Sequence, residues 1–359
     1  MSLSDLNFDS WTTTLSDQLS GKSIYDLDDD LSALPGTQQL PYRVGAYIDE
    51  GSYGEMNRYA QAEIERGAEA LLFRLYRQPD TAAIRRILKN IDPTVTELHC
   101  SLRYPGQDPA ELFRDLITYL RAEGIDLSKV RGSIDFDPLL DWSDAPFPPL
   151  VRLLSFVNRW MPGFAVLQVN AAGFNNGTDV ADAEIALALS KGAAYLKAIQ
   201  DHGYSPTIAA QHLKFAVTVG TSFHGDVAKL RTLRALWPKV LAEFGVSDTV
   251  ATQIGAHTDI TTMTGDWEEN QELLLQQARS MALGGADVAF LTPLEQVDDT
   301  PTVRARNYAI DVHRSQGSDA DLQAVETQLA TVTSALTEAV WSEYQSLVEQ
   351  GGFATAVEL

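Results

Sequence analysis

Cysteine is nearly absent from this 359-residue chain, which has only Cys100. One thiol cannot build an intrachain disulfide framework or a cysteine-rich zinc site. Basic residues are also scarce: 27 Lys and Arg stand against 49 Asp and Glu, for a net charge of −22. A surface of that sign repels nucleic acid and anionic membranes, so neither is an expected partner. No apolar run reaches the length of a membrane span. The N-terminus, MSLSDLNFDSW, lacks the basic region and apolar core of a signal peptide, so the expected location is the cytoplasm. No glycine-rich phosphate loop occurs; Gly284-Gly285 and Gly351-Gly352 read as helix ends.

What is present is an ordinary globular composition, 45% hydrophobic and 21% charged, with a regular alternation of patterns. Short β-branched or apolar runs mark eight strands: Val44–Ile48, Ala70–Leu75, Thr96–Leu102, Arg131–Phe136, Phe164–Asn170, Leu213–Gly220, Thr252–His257 and Asp287–Leu291. Long helical patterns separate them, many opening on Asp, Ser, Thr or Pro and closing on Gly or Asn. Eight such units in succession predict an α/β fold, a (β/α)8 TIM barrel over residues 41–318. An acidic arm at 1–40 and a helical extension at 319–359 flank it.

In such barrels the chemistry lies at the C-terminal ends of the strands. Those positions hold Asp49 and Glu50, Arg77, Arg103 and Tyr104, Asp135 and Asp137, Asn170, Thr221 with Ser222 and His224, and His257 with Asp259. Arg77 and Arg103 have the fork geometry to grip a carboxylate or phosphate; surface ion pairing is the alternative. Asp135, Asp137, His257 and Asp259 are the residue types of a divalent-metal site, but a solvated acidic rim explains them more simply, and no metal is expected. Asp311-Val312-His313 with Gly317 approaches the cobalamin motif Asp-x-His-x-x-Gly. Its glycine comes one residue too late, and the segment reads as a helix end.

Several ordered segments carry a family resemblance. They are VNAAGFNNGTDVADAEIALALSKGAAYLKA (Val169–Ala198), FAVTVGTSFHGDVAKLRTLRALW (Phe215–Trp237), IGAHTDITTMTGDW (Ile254–Trp267), ALGGAD (Ala282–Asp287), the pair Arg306-Asn307 and the final Gly-Gly-Phe-x-x-Ala. Together they resemble the adenosylcobalamin-dependent acyl-CoA mutases, methylmalonyl-CoA mutase above all. The resemblance implies a substrate threaded down the barrel as a CoA thioester. It also implies a strand-six arginine on the substrate carboxylate, a strand-seven histidine on the thioester carbonyl, and a tyrosine in a Thr-Met-Tyr motif.

Measured against that pattern, the histidine is present as His257, while the arginine position carries His212. A largely neutral imidazole in place of a bidentate guanidinium weakens a buried carboxylate contact by roughly 2–4 kcal/mol. The Thr-Met-Tyr segment is replaced by LPYRVGAYIDEG (Leu40–Gly51), and the strand-five loop reads Phe174-Asn175-Asn176. The chain ends where a linker to a cobalamin domain is expected. These departures resemble the small, non-catalytic subunit of the heterodimeric mutase. That resemblance implies no cofactor on this chain, adenosylcobalamin in the partner, and pairing with a large catalytic subunit or self-association through the same surface. The expected site residues are His257 and His212, with Arg77, Arg103, Asn170 and Asn175 toward any acyl-CoA. Two other readings stay open: a working barrel that borrows a cobalamin domain from a separate chain, and a barrel repurposed as a hydrolase.

Overall fold

The computed structural model describes residues 42–49, 51–103, 109–141, 147–174, 181–247, 249–293, 301–313 and 322–356. The expected arm at 1–40 lies outside them. In chain order the elements are β1 (Arg43–Ile48), α1 (Tyr53–Arg66), β2 (Ala70–Leu75), α2 (Thr81–Ile87), β3 (Glu97–Leu102), α3 (Pro109–Ala122), β4 (Gly132–Asp135), α4 (Pro138–Asp141), α5 (Phe147–Trp160), β5 (Phe164–Ala165), β6 (Leu167–Asn170), α6 (Ala181–Asp201), α7 (Pro206–Gln211), β7 (Leu213–Val219), α8 (Phe223–Glu243), β8 (Ile254–Thr258), α9 (Trp267–Gly284), β9 (Val288–Phe290), α10 (Val303–Val312), α11 (Leu322–Glu349) and α12 (Phe353–Ala356). The ladders β1–β2, β2–β3, β3–β4, β4–β5, β7–β8 and β8–β9 are all parallel. The fold is α/β, of the (β/α)8 barrel class. Among the described residues no helix is long and apolar enough to cross a membrane.

All eight expected strands are found. The fifth is split at Val166, because the N–H groups of Val166 and Leu167 both turn to one acceptor, the His212 carbonyl, at 3.1 and 3.2 Å. Two amides on one carbonyl interrupt the even spacing of a parallel ladder. Helix starts follow the capping residues. Ser52, Asp80, Ser222, Asp266 and Thr302 each accept a backbone N–H of the first turn. The turns α4 and α7 carry no long periodic pattern and were not expected from the sequence.

The described residues form two compact units. One holds Arg43–Gln168 and Leu196–Lys214; the other holds Tyr42, Val169–Tyr195 and Phe215 onward. In the first, strand alternation sorts the residues into two layers. Phe73, Leu75, Leu98 and Cys100 face an apolar layer shared with Leu112 and Leu116 of α3. The opposite face of β3 and β4 is polar, and the register sets His99 against Ser133 and Ser101 against Asp135. In the second unit, α8 is buried on nearly all sides, and its Phe223 and Val227 pack on Leu329 of α11.

β3 and β4 meet at Gly132, whose φ is +144° and whose place has no room for a side chain: a Cβ there would lie 1.7 Å from the Leu98 carbonyl oxygen. Backbone cannot yield as a flexible side chain does. Gly132→Ala is therefore expected to cost about 3 kcal/mol or more, read as a lowered midpoint in urea denaturation. An unchanged midpoint would contradict this register.

Candidate functional site

The strand ends of the first unit gather several of the expected residues. Asp49, beyond β1, accepts a hydrogen bond from Arg74 Nη1 at 3.0 Å, and the Arg74 guanidinium lies 4.8 Å from the Tyr47 ring centroid. Arg74 was not singled out from the sequence. Its position inside a strand, rather than just past one, hid it. Arg77 is exposed and stacks over Tyr53 at 4.5 Å. Arg103 is half-exposed and stands 3.8 Å from Asp135. Asp135 also accepts Ser101 Oγ at 2.9 Å and Gln168 Nε2 at 2.8 Å. Burial raises its pKa, and the Arg103 charge opposes that shift. The structure thus brings Arg103 to Asp135 and commits Arg77 to an aromatic ring.

Deeper along the same face runs a chain of paired polar groups. Arg43 Nε reaches Glu97 at 2.8 Å, the other Glu97 oxygen lies 3.4 Å from His99 Nε2, His99 Nδ1 meets Ser133 Oγ at 2.8 Å, and Lys214 Nζ stands 3.4 Å from His99 Nδ1. His99 and Lys214 are buried. Burial first, and then the Lys214 ammonium, push the His99 pKa down to about 4. Glu97 falls below its usual value because His99, Arg43 and Lys214 together outweigh the cost of burying it.

His212 lies beside this chain. It caps the C-terminal end of α7 and is fully buried. Its Nδ1 is 2.7 Å from the Phe164 carbonyl oxygen. A carbonyl can only accept, so Nδ1–H donates, and burial lowers the pKa in favour of the neutral ring. Both the ring and the carbonyl of His212 therefore serve the backbone of Phe164–Leu167. The one thiol, Cys100, faces the apolar layer; burial pushes its pKa up to about 12, which removes it as a nucleophile.

In the second unit His257 is half-buried on β8 and lies flat on Phe290 of β9, centroids 5.0 Å apart and planes 7° apart. Asn170 closes β6 and is half-buried; Asn175, Tyr104 and Glu50 lie outside the described residues. Other expected rim residues act as caps. Ser222 caps α8, and Asp259 accepts Thr261 N and Oγ1 at 3.0 and 2.7 Å. His224 Nε2 stands 3.3 Å from Gln328 Oε1. Among the described residues no group of three or more His, Cys, Asp or Glu side chains is placed to hold a metal ion.

One cluster in this unit escaped the sequence reading. Lys229 Nζ stands 3.1 Å from Glu184 Oε2 and 3.4 Å from Asp226 Oδ1, and Asp226 Oδ2 accepts the Gly220 N–H at 2.8 Å. All three side chains are buried. The available signal was a glutamate within the apolar run Glu184–Leu189 and an Asp–Lys pair three residues apart at the buried start of α8.

The family model described as methylmalonyl-CoA mutase matches residues 81–359. The chain belongs to the methylmalonyl-CoA mutase family. The chain is similar to the small subunit of that enzyme from Porphyromonas gingivalis, 28% identical over 331 residues, covering 85% of this chain and 52% of the relative. The small subunit from Propionibacterium freudenreichii subsp. shermanii is 26% identical over 321 residues, covering 82% and 48%. The large subunit from P. gingivalis is 24% identical over 258 residues, covering 66% and 36%. The chain spans about half the length of the small subunits it matches.

The mutase family is cobalamin-dependent, and the one motif here that approaches a cobalamin ligand does not fit that role. His313 ends α10, is fully buried, and places Nδ1 2.7 Å from the Tyr42 hydroxyl with the two rings edge to face. An imidazole enclosed in that way cannot reach a corrin.

The buried polar chain makes a direct pH prediction. An ordinary histidine binds its proton near pH 6.5, whereas His99 in the fold does so near 4. Between those values the unfolded chain binds more protons, so the His99 contribution to stability falls as pH drops through this window. The ring 15N shifts of His99 are expected to report a neutral imidazole at pH 5. A protonated ring at that pH would contradict the pairing described.

Proposed function

We propose that this chain is a small-subunit-like, non-catalytic barrel of the methylmalonyl-CoA mutase family, supporting a large subunit that interconverts methylmalonyl-CoA and succinyl-CoA. The observation that carries the reading is His212. At the position where the catalytic barrels are expected to grip the substrate carboxylate, this side chain is buried, neutral and bonded to the Phe164 carbonyl. Neither its charge nor its direction suits a carboxylate ligand.

The chain from Arg43 to Lys214 supports the same conclusion. A thioester lying along the polar face of β3 and β4 would have to part Arg43 from Glu97 and displace the buried Lys214 ammonium, at several kcal/mol for each buried charge stranded. The relatives agree in direction, since the small subunits align over more of the chain than the large one does. In this reading the chain acts in the cytoplasm and holds no cofactor itself. The adenosylcobalamin belongs to the large subunit, which pairs with it as a heterodimer and supplies the radical chemistry. This chain's own part is to present a folded scaffold to that partner.

Affinity purification of the tagged chain from its native host tests the partnership, with a stoichiometric large mutase subunit as the expected companion. Recovery of the chain alone, or only with a small cobalamin-binding protein, would overturn the reading. Calorimetric titration with methylmalonyl-CoA is expected to show no binding at micromolar concentrations; tight binding would favour a catalytic barrel. Restoring the family's arginine separates the alternatives further. His212→Arg removes the imidazole that donates to the Phe164 carbonyl and buries a charged guanidinium in its place, and it is expected to lower stability by about 3 kcal/mol without creating affinity for the thioester. A stable variant that gains binding would mean that the substrate site is intact.

A further inference from the structure

In the buried cluster of Glu184, Asp226 and Lys229, two carboxylates share one ammonium among the described residues. Glu184 Oε2 and Asp226 Oδ1 share the Lys229 ammonium, and Asp226 Oδ2 takes the Gly220 N–H at the C-terminal end of β7. Glu184 Oε1 is buried with no hydrogen-bond partner among the described residues. Among the described residues the charged groups acting on Glu184 are Lys229 and Asp226 of α8 and Asp259 beyond β8, and this third neighbour adds to the negative field. A buried carboxylate oxygen without a donor, on a glutamate that shares its ammonium with a second carboxylate, is placed to carry a proton. A proton on Oε1 removes one negative charge while leaving both contacts of Lys229 in place.

We propose that Glu184, Asp226 and Lys229 form a proton-operated clamp that holds the end of β7 to the start of α8 and loosens when the proton is lost. The clamp joins three elements. Glu184 projects from α6, Asp226 and Lys229 from the first turns of α8, and the Gly220 amide from the strand end. Gln277 of α9 donates to the carbonyls of Val219 and Gly220 at 3.1 and 3.3 Å, so this strand end is tied from two sides and its looseness is measurable. Deprotonation adds a negative charge to a desolvated pocket, and local opening, which hydrates it, becomes the route of relief.

The direction of the effect follows from the sites. Burial, only partly offset by Lys229, raises the Glu184 pKa to about 7 from 4.5. The folded form therefore holds the proton more tightly than the open form, and protection is greatest in acid and lost as pH rises between those values. Amide hydrogen exchange of Gly220 and its neighbours, corrected for the intrinsic rate, reads this directly. Its protection factor is expected to fall roughly tenfold or more between pH 5 and 8 in the unmodified chain, and to stay flat in Glu184→Gln. Should that variant fail to fold, the 13C shift of the Glu184 carboxyl in the unmodified chain carries the test, with a midpoint near neutrality expected. A Gly220 protection factor independent of pH, a dependence that survives in Glu184→Gln, or a carboxyl titrating near 4.5 would overturn the clamp.

Discussion

Parallel strands flanked by helices leave neither face of the sheet to water. Most such sheets meet this constraint with continuous apolar runs. Here β3 reads ELHCSL and β4 reads GSID, so every second residue is polar. Parallel register then decides which polar groups become neighbours, and each needs a partner on the spot. His99 finds Ser133, Ser101 finds Asp135, and Glu97 is answered by Arg43. In the other unit Lys229 answers Glu184 and Asp226 by the same necessity. A buried charge stripped of its partner costs about 3–5 kcal/mol, a large share of the stability of any domain. Much of the internal architecture is organised around avoiding that cost.

The fate of the histidines shows what this does to function. Imidazole is the side chain best suited to proton transfer at neutral pH, and all six lie among the described residues. His99 sits within the polar chain, His202 bonds the Ala198 carbonyl, His212 the Phe164 carbonyl, His224 pairs with Gln328 and His313 with Tyr42. His257 lies on Phe290. Each ring has a packing partner that accounts for its orientation. In this chain the imidazoles contribute to cohesion.

Much of the fold was legible because its signals are local. Strands announce themselves by alternation and helices by caps, and both depend on residues a few positions apart. The fifth strand broke where a distant carbonyl, that of His212, drew two amides away from the ladder. The candidate site was less legible. Position just beyond a strand picked out Arg77, Asp259 and Ser222, yet the same position is where capping and stacking are needed, and those are the roles the residues took. Arg74 and Lys229 were hard to see because one lies inside a strand and the other inside a helix, where a charge reads as an ordinary solvated face until burial is known.

The sequence by itself determined the order of the main strands and helices, the family, and the presence of a histidine at position 212. These depend on residue identity and spacing along the chain. Only the tertiary structure decided that His212 turns to the backbone, that Glu97, His99 and Lys214 share one desolvated row, and that Glu184 carries an oxygen with no donor among the described residues. Those outcomes depend on which strands and helices meet and on how much water remains between them. A charged side chain has the same identity in solvent and in the interior; its surroundings set its partner, its proton and its use.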